Sequence, residues 1–309
     1  MANILSAHGR VVAVDENLEL THLPLREPSS PGKHLAELDD VSDGGLITSG
    51  AMSGFELIRN ESGVSFQKDG FFLSADPRRE KLELDRKSVR EWETFQIVSN
   101  SRLQDIARFP QSPEFEKARF AATVAKLVAE GEPVKIFAGC GPAPRPGFLN
   151  LDIVVMAPGF AVTNYDEFFI FPYADEGWAI PDDCVDYIFH EDFIEHISQL
   201  QQIQFLAEAW RVLKPGAYHR VNTPSLIASM RRHSNFKAGM AGVYTGELQW
   251  GHVCIFTHAS LKEMAEMIGY REVIFTTRHH GVSPLAEHDH RPLSDRDDIV
   301  GNIYADLQK

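Results

Sequence analysis

The spacing of apolar residues changes character near residue 98. Before that point, short apolar runs at 10–14, 18–20, 54–58, 64–66, 71–75, 81–84 and 95–98 are separated by Gly, Asp, Asn and Ser. Short strands broken by turn residues predict a small antiparallel β domain over residues 1–98. Beyond it, strand-length apolar runs alternate with stripes at spacings of three and four. That alternation predicts a parallel sheet with helices on both faces.

The connecting segment 99–131 carries a helix. Ser112 and Pro113 suit an N-cap and first helical position, and Phe115, Ala118, Ala122, Ala125 and Val128 recur at helical spacing until Gly131 and Pro133 stop it. The third region, 132–309, then reads strand 134–138, strand 148–151, strand 168–171 and strand 185–189. A helix follows over 198–213 with Ile203, Leu206, Trp210 and Leu213 in one stripe, ended by Pro215-Gly216. Strand 218–221, a helix marked by Leu261, Met264, Ala265 and Ile268, and strands 273–276 and 299–307 complete the region.

The chemistry concentrates between Val134 and Asp152. Gly139-Cys140-Gly141 follows an apolar strand, and two glycines around one residue permit a sharp turn that brings bare N–H groups to a ligand. The next strand ends in Asp152, a carboxylate able to accept two ribose hydroxyls. A dinucleotide fingerprint needs glycine at 144, where this chain has Pro144. The loop therefore fits a nucleoside-type ligand better than a dinucleotide, and a plain turn in an α/β domain is the alternative.

Composition narrows the partners. A net charge of -14 disfavours a duplex-binding surface, which depends on excess Lys and Arg, so no nucleic-acid partner is expected. Cys140, Cys184 and Cys254 show no C-x-x-C spacing and no disulfide framework, which fits a reducing, cytoplasmic setting. No run reaches the roughly 18 apolar residues of a membrane span, so no membrane association is expected.

Two resemblances follow from particular runs. His8 to Asp15 echoes Asp69 to Asp76, and the second copy continues to Glu91-Trp92-Glu93-Thr94-Phe95. This pattern resembles one repeat of fascin-like β-trefoil domains, which implies a partial trefoil-like binding module; a β extension that only packs is the alternative. The C-terminal part is the more specific. It carries Gly139-Cys140-Gly141 with Pro146-Gly147-Phe148-Leu149-Asn150-Leu151-Asp152, then Pro181-Asp182-Asp183-Cys184-Val185-Asp186-Tyr187-Ile188 and Glu195-His196. Arg211-Val212-Leu213-Lys214-Pro215-Gly216 leads on to Arg220, and a late run spans His252 to Leu261. In this order the runs resemble class I S-adenosylmethionine-dependent methyltransferases. The resemblance implies a doubly wound, mostly parallel seven-stranded sheet whose last strand is antiparallel. It implies S-adenosyl-L-methionine as cofactor, with Ala138, Gly139, Cys140 and Gly141 around its methionine end, Asp152 on the ribose, Asp175 near the adenine, and His190 and Glu191 lining the pocket.

Methyl transfer from a sulfonium asks the protein for alignment, and for a base when the acceptor is a hydroxyl. His252 is the candidate base, because the resemblance sets its loop over the pocket; a capping or packing role is the alternative for it, as for His190, His196 and His219. His279-His280 and His288-Asp289-His290 read as solvated loops, so no metal is expected. Arg231, Arg232 and Lys237 form a basic cluster in an acidic chain, suited to an anionic acceptor group, with Tyr244 and Trp250 as flat surfaces for a ring or sugar. The expectation is a methyltransferase acting on oxygen of a small molecule or glycan precursor. A non-catalytic binding protein that keeps the fold is the alternative.

Overall fold

The structure is a computed structural model that describes residues 2–17, 19–24, 34–38, 45–60, 63–76, 78–79, 81–157, 160–161, 164–228, 251–286 and 301–309. The chain forms two units, one of 1–111 with 157–165 and one of 112–156 with 166–309. The division falls inside the segment read as a connector. Its first helix, α1 (Asn100–Ala107), packs on strands of the β unit, whereas the second, α2 (Pro113–Glu130), opens the α/β unit.

The first unit is antiparallel. Its strands are β1 (Ala2–Ser6), β2 (Arg10–Val14), β3 (Leu20–Pro24), β4 (His34–Leu35), β5 (Glu37–Leu38), β6 (Glu56–Asn60), β7 (Gly63–Lys68), β8 (Phe71–Ser74), β9 (Glu83–Arg86) and β10 (Phe95–Ser99). The main path runs β3-β2-β1-β10-β7-β8-β9. Ile4, Val12, Leu57, Phe66, Leu73 and Phe95 meet in its core. The sequence echo has a local counterpart. Gly9 and Gly70, both at positive φ, precede β2 and β8, and Asp15 and Asp76 after those strands each accept the N–H two residues on. Among the described residues the echo stops at two copies, and the threefold design of a trefoil is not shown.

The second unit contains β11 (Lys135–Ala138), β12 (Leu149–Asp152), β13 (Phe168–Ile170), β14 (Val185–Glu191), α3 (Gln199–Val212), β15 (Leu213–Pro224), α4 (His258–Ile268), β16 (Glu272–Phe275) and β17 (Asn302–Gln308). The sheet order is β13-β12-β11-β14-β15-β17-β16. β11 to β15 pair in parallel, and β17 runs antiparallel between β15 and β16. The chain moves outward from β11 in one direction through β12 and β13, then returns to β14 on the other side. In open α/β sheets that reversal opens a crevice at the carboxyl ends of the two central strands, here β11 and β14.

Among the described residues the three long helices of this unit pack on one face of the sheet. Strand alternation separates Ile136, Ala138, Ile188, Val221, Ala305 and Leu307 on one face from Phe137, Phe189, Arg220, Tyr304 and Asp306 on the other. The first set shares a single core with Phe120 and Val124 of α2, Phe205 and Ala209 of α3, and Leu261 and Ala265 of α4. Right-handed crossovers from β11 to β12 and from β12 to β13 place their connections on the opposite face. Those connections are residues 139–148, in which no helix is described, and 153–167, in which Phe160 and Ala161 are helical and Tyr165–Glu167 forms a 3-10 turn. On that face the Arg145 guanidinium stacks over the Phe189 and Phe137 rings, 4.6 and 5.4 Å from their centroids.

The helix boundaries follow the sequence, but two of the faces do not. Ser112 Oγ accepts the Phe115 N–H and Gly131 closes α2 at φ 73°. Yet Phe115 and Val128 are about half exposed, while Glu116, Phe120 and Val124 are buried. Arg119 sets this rotation by bonding both the Glu116 carboxylate and the Phe168 carbonyl. α3 likewise buries Gln202, Phe205, Leu206, Ala209 and Val212, and leaves Ile203 exposed. Its Ser198 and Gln201 form a reciprocal capping box.

Candidate functional site

The site forms where the switch in strand order predicts it. β11 ends at Ala138, and Gly139 and Gly141 take φ of 65° and 54°, a left-handed region that side chains with a Cβ rarely adopt. The two glycines have different surroundings. A Cβ on Gly139 would lie 2.6 Å from Cβ and Cγ of Phe193, so the turn is pressed against the loop after β14. A Cβ on Gly141 would meet no described atom within 4 Å. One glycine serves close packing, and the other leaves room for a ligand.

Asp152 closes the turn from the neighbouring strand. Its Oδ2 accepts the Gly141 N–H at 2.8 Å and lies 3.8 Å from Cys140 Sγ, while Oδ1 accepts the Ile153 N–H at 2.7 Å. Each carboxylate oxygen can accept more than one hydrogen bond, so these contacts orient the group without exhausting it. Burial, reinforced by the Asp152 charge, pushes the Cys140 thiol well above its ordinary range and keeps it protonated. Tyr173 lies fully buried in contact with Phe193, and burial likewise raises its hydroxyl, with Asp152 and Cys140 adding to the shift. Asn150 clamps the turn from behind, donating to the Arg145, Phe148 and Glu167 carbonyls and accepting the Arg145 N–H at 2.7 Å.

The residues after β14 divide by strand parity. Consecutive residues point to opposite faces, so His190 and Glu191 cannot line one pocket from the same side. His190 is fully buried on the helix-covered face, against Phe193 and Phe205. Its Nδ1 lies 2.9 Å from His219 Nε2, and His219 Nδ1 lies 3.0 Å from the Tyr270 hydroxyl, which donates to the Leu206 carbonyl at 3.1 Å. Burial holds the His190 pKa down to about 3 and lowers that of His219 strongly, with His190 adding to the second shift. Both rings are therefore neutral core groups. On the other face Glu191 accepts from the Asn222 amide, and the Asn302 amide bridges Asn222 Oδ1 at 2.7 Å and Asp192 Oδ1 at 3.1 Å.

Asp175 is exposed, accepts the Gln201 side-chain amide at 2.5 Å, and borders a cavity of about 390 Å³ with Gln204, Glu208 and Arg211. His252 meets Glu195 and His196, its Nε2 4.0 Å from Glu195 Oε1. Arg231, Arg232, Lys237, Tyr244 and Trp250 lie outside the described residues. Sequence reading missed Phe193 and Tyr173, which show no motif spacing; their proximity to the turn arises only when β11, β13 and β14 align.

No protein-family model matches the chain, and no curated protein matches it. Among solved structures it is similar to a SAM-dependent methyltransferase from Archaeoglobus fulgidus at 14% identity, covering 68% of this chain and 100% of that one, with a TM-score of 0.40. A SAM-dependent methyltransferase from Mesorhizobium loti is similar at 11% identity, over 62% of this chain and 100% of that one, with a TM-score of 0.38. A Burkholderia thailandensis 1,6-didemethyltoxoflavin-N1-methyltransferase is similar at 14% identity, over 68% and 87%, with a TM-score of 0.35. At these scores the likeness carries no argument about activity.

Proposed function

We propose that this chain is an S-adenosylmethionine-dependent methyltransferase whose acceptor is a small molecule or glycan precursor, methylated on oxygen. The observation that carries the reading is the turn at Gly139 to Gly141. It has positive φ at both glycines and open space at Gly141, is closed onto the strand-end Asp152, and sits at the strand-order switch. Ala138, Gly139, Cys140 and Gly141 would hold the methionine end of the cofactor, and Asp152 the ribose hydroxyls. The cofactor supplies the activated methyl group; the protein aligns it and excludes water. His252, set beside buried Glu195, serves the acceptor side. Arg231, Arg232 and Lys237 would grip an anionic group on the acceptor.

Calorimetry with S-adenosylmethionine and its demethylated product tests the reading. Asp152→Ala should weaken binding by about 1–3 kcal/mol, the scale for losing a charged hydrogen-bond partner. Failure of the wild-type protein to bind either compound would favour the binding-protein alternative.

A further inference from the structure

The loop after β14 gathers three metal-ligating side chains. Glu195 and His196 lie in the short 3-10 turn Ile194–His196. His252 reaches them from a distant part of the sequence and is fixed through the backbone. The N–H groups of Val253 and Cys254 both donate to the Glu195 carbonyl, at 2.7 and 3.2 Å. The His196 and His252 rings meet edge-on with centroids 4.8 Å apart. One ligand atom from each of the three residues lies within 4.8 Å of the other two.

The chemistry of this donor set is specific. We propose that Glu195, His196 and His252 bind one divalent transition-metal ion of the zinc type. Two imidazoles and a carboxylate suit zinc, cobalt or iron better than calcium or magnesium, which prefer oxygen alone. Zinc bonds of about 2.0–2.2 Å place ligand atoms roughly 3.3 Å apart, so the side chains must draw in by ~1.5 Å at most. The adjustment is small at His252, whose side chain is only 9 % exposed but whose Nε2 already lies 4.0 Å from Glu195 Oε1, and the exposed His196 can supply the rest. Glu195 provides the fixed point. It is fully buried, and its Oε2 accepts the Thr223 hydroxyl at 2.9 Å, which aims Oε1 toward His252. His196 has a backbone hydrogen bond to Gly251, and an imidazole held at one nitrogen presents the other in a set direction.

Three protein ligands leave a coordination position open, as in catalytic rather than structural zinc sites. Phe193, two residues before Glu195, packs on Gly139, so the ion would belong to the same end of the sheet as the glycine turn. On the methyltransferase reading, and resting on it, that open position takes the acceptor hydroxyl. The hydroxyl loses its proton to solvent on coordination. Its oxygen lone pair forms the bond to the methyl carbon, the carbon–sulfur bond breaks, and its electrons stay on sulfur. Binding of the ion itself does not depend on that reading.

The test uses the full chain, freed of metal by dialysis against a chelator, without S-adenosylmethionine. Calorimetric titration with Zn²⁺ should show one ion per chain, and Co²⁺ should give the intense visible absorption of a four- or five-coordinate site. Loss of an outer-shell partner alone costs about 10–100-fold in affinity, so His196→Ala with His252→Ala should cost ~100-fold or more. Glu195→Gln, which keeps the side-chain volume, should also lower affinity and change the Co²⁺ spectrum, and it stands in if the double variant does not fold. His279→Ala with His280→Ala should bind as the wild type does. The proposal is overturned if the wild type binds no ion, if the cluster variants bind it unchanged, or if only the 279–280 variant loses it. Cofactor calorimetry reads the methyltransferase proposal separately.

Discussion

Acidification should destabilise the α/β unit through two histidines that the fold keeps neutral. The hydrogen-bond directions explain why. Tyr270 O–H donates to the Leu206 carbonyl, so its oxygen accepts from His219 Nδ1–H, and His219 Nε2 in turn accepts from His190 Nδ1–H. Protonating His219 would turn two N–H groups toward each other at 2.9 Å in a fully buried site. The folded pKa of His190 is held near 3, against an ordinary 6.5, and that of His219 is also strongly lowered. Below the ordinary value the unfolded chain therefore binds protons that the folded chain refuses. The stability is complete above pH 6.5 and is lost as pH falls toward about 3. At pH ~5 the unfolded His190 gains ~1.5 units of protonation free energy, or about 2 kcal/mol, and His219 adds a cost of the same sign. Urea unfolding at pH ~7 and ~5 measures the loss, and imidazole nitrogen NMR reads the tautomers directly. Equal unfolding free energies at the two pH values would refute the reasoning. So would an imidazolium signal from either ring in the folded protein at pH ~5.

Further outcomes follow from single contacts. Arg220 and Asp306 are buried with Nη1 and Oδ2 3.0 Å apart, and Arg220 also bonds Thr276 Oγ1 and the Thr277 carbonyl. Asp306→Ala should cost about 3–5 kcal/mol in urea unfolding by leaving a buried charge, and a loss below ~1 kcal/mol would contradict this. Gly139→Ala should destabilise the fold through its collision with Phe193, visible as a lower melting temperature. Gly141→Ala should cost only the ~1–2 kcal/mol of its left-handed backbone, yet abolish cofactor binding in calorimetry. Full cofactor affinity in Gly141→Ala would remove that side of the turn from the ligand site.

The motif residues that suggested a family turn out to be of two kinds. Gly141 and Asp152 face the proposed ligand site. Asn150, Asp186 and Arg220 are clamps: Asp186 accepts the Val134 N–H at 2.9 Å and the Lys214 ammonium at 2.6 Å, tying the starts of β11 and β15 together. Sequence spacing alone gives no way to tell a clamp from a ligand group, because both are polar residues at strand ends.

Local chemistry was sufficient to determine several features of this protein. Apolar runs and their turn residues placed the strands of the α/β unit, since a buried parallel strand needs a continuous apolar stretch. Ser112, Ser198 and Gly131 marked helix ends because capping depends on residues within one turn. Strand β1 escaped notice, because its buried Asn3 and Ser6 break the apolar pattern. Only the tertiary structure decided which helix faces were buried, because Arg119 sets the rotation of α2 through a carbonyl on β13. It alone revealed that His190 packs on the helix-covered face of the sheet while Glu191 lies on the other. It also brought His252 beside Glu195 and His196. Contacts between residues far apart in sequence depend on strand order and register, and no local spacing encodes them.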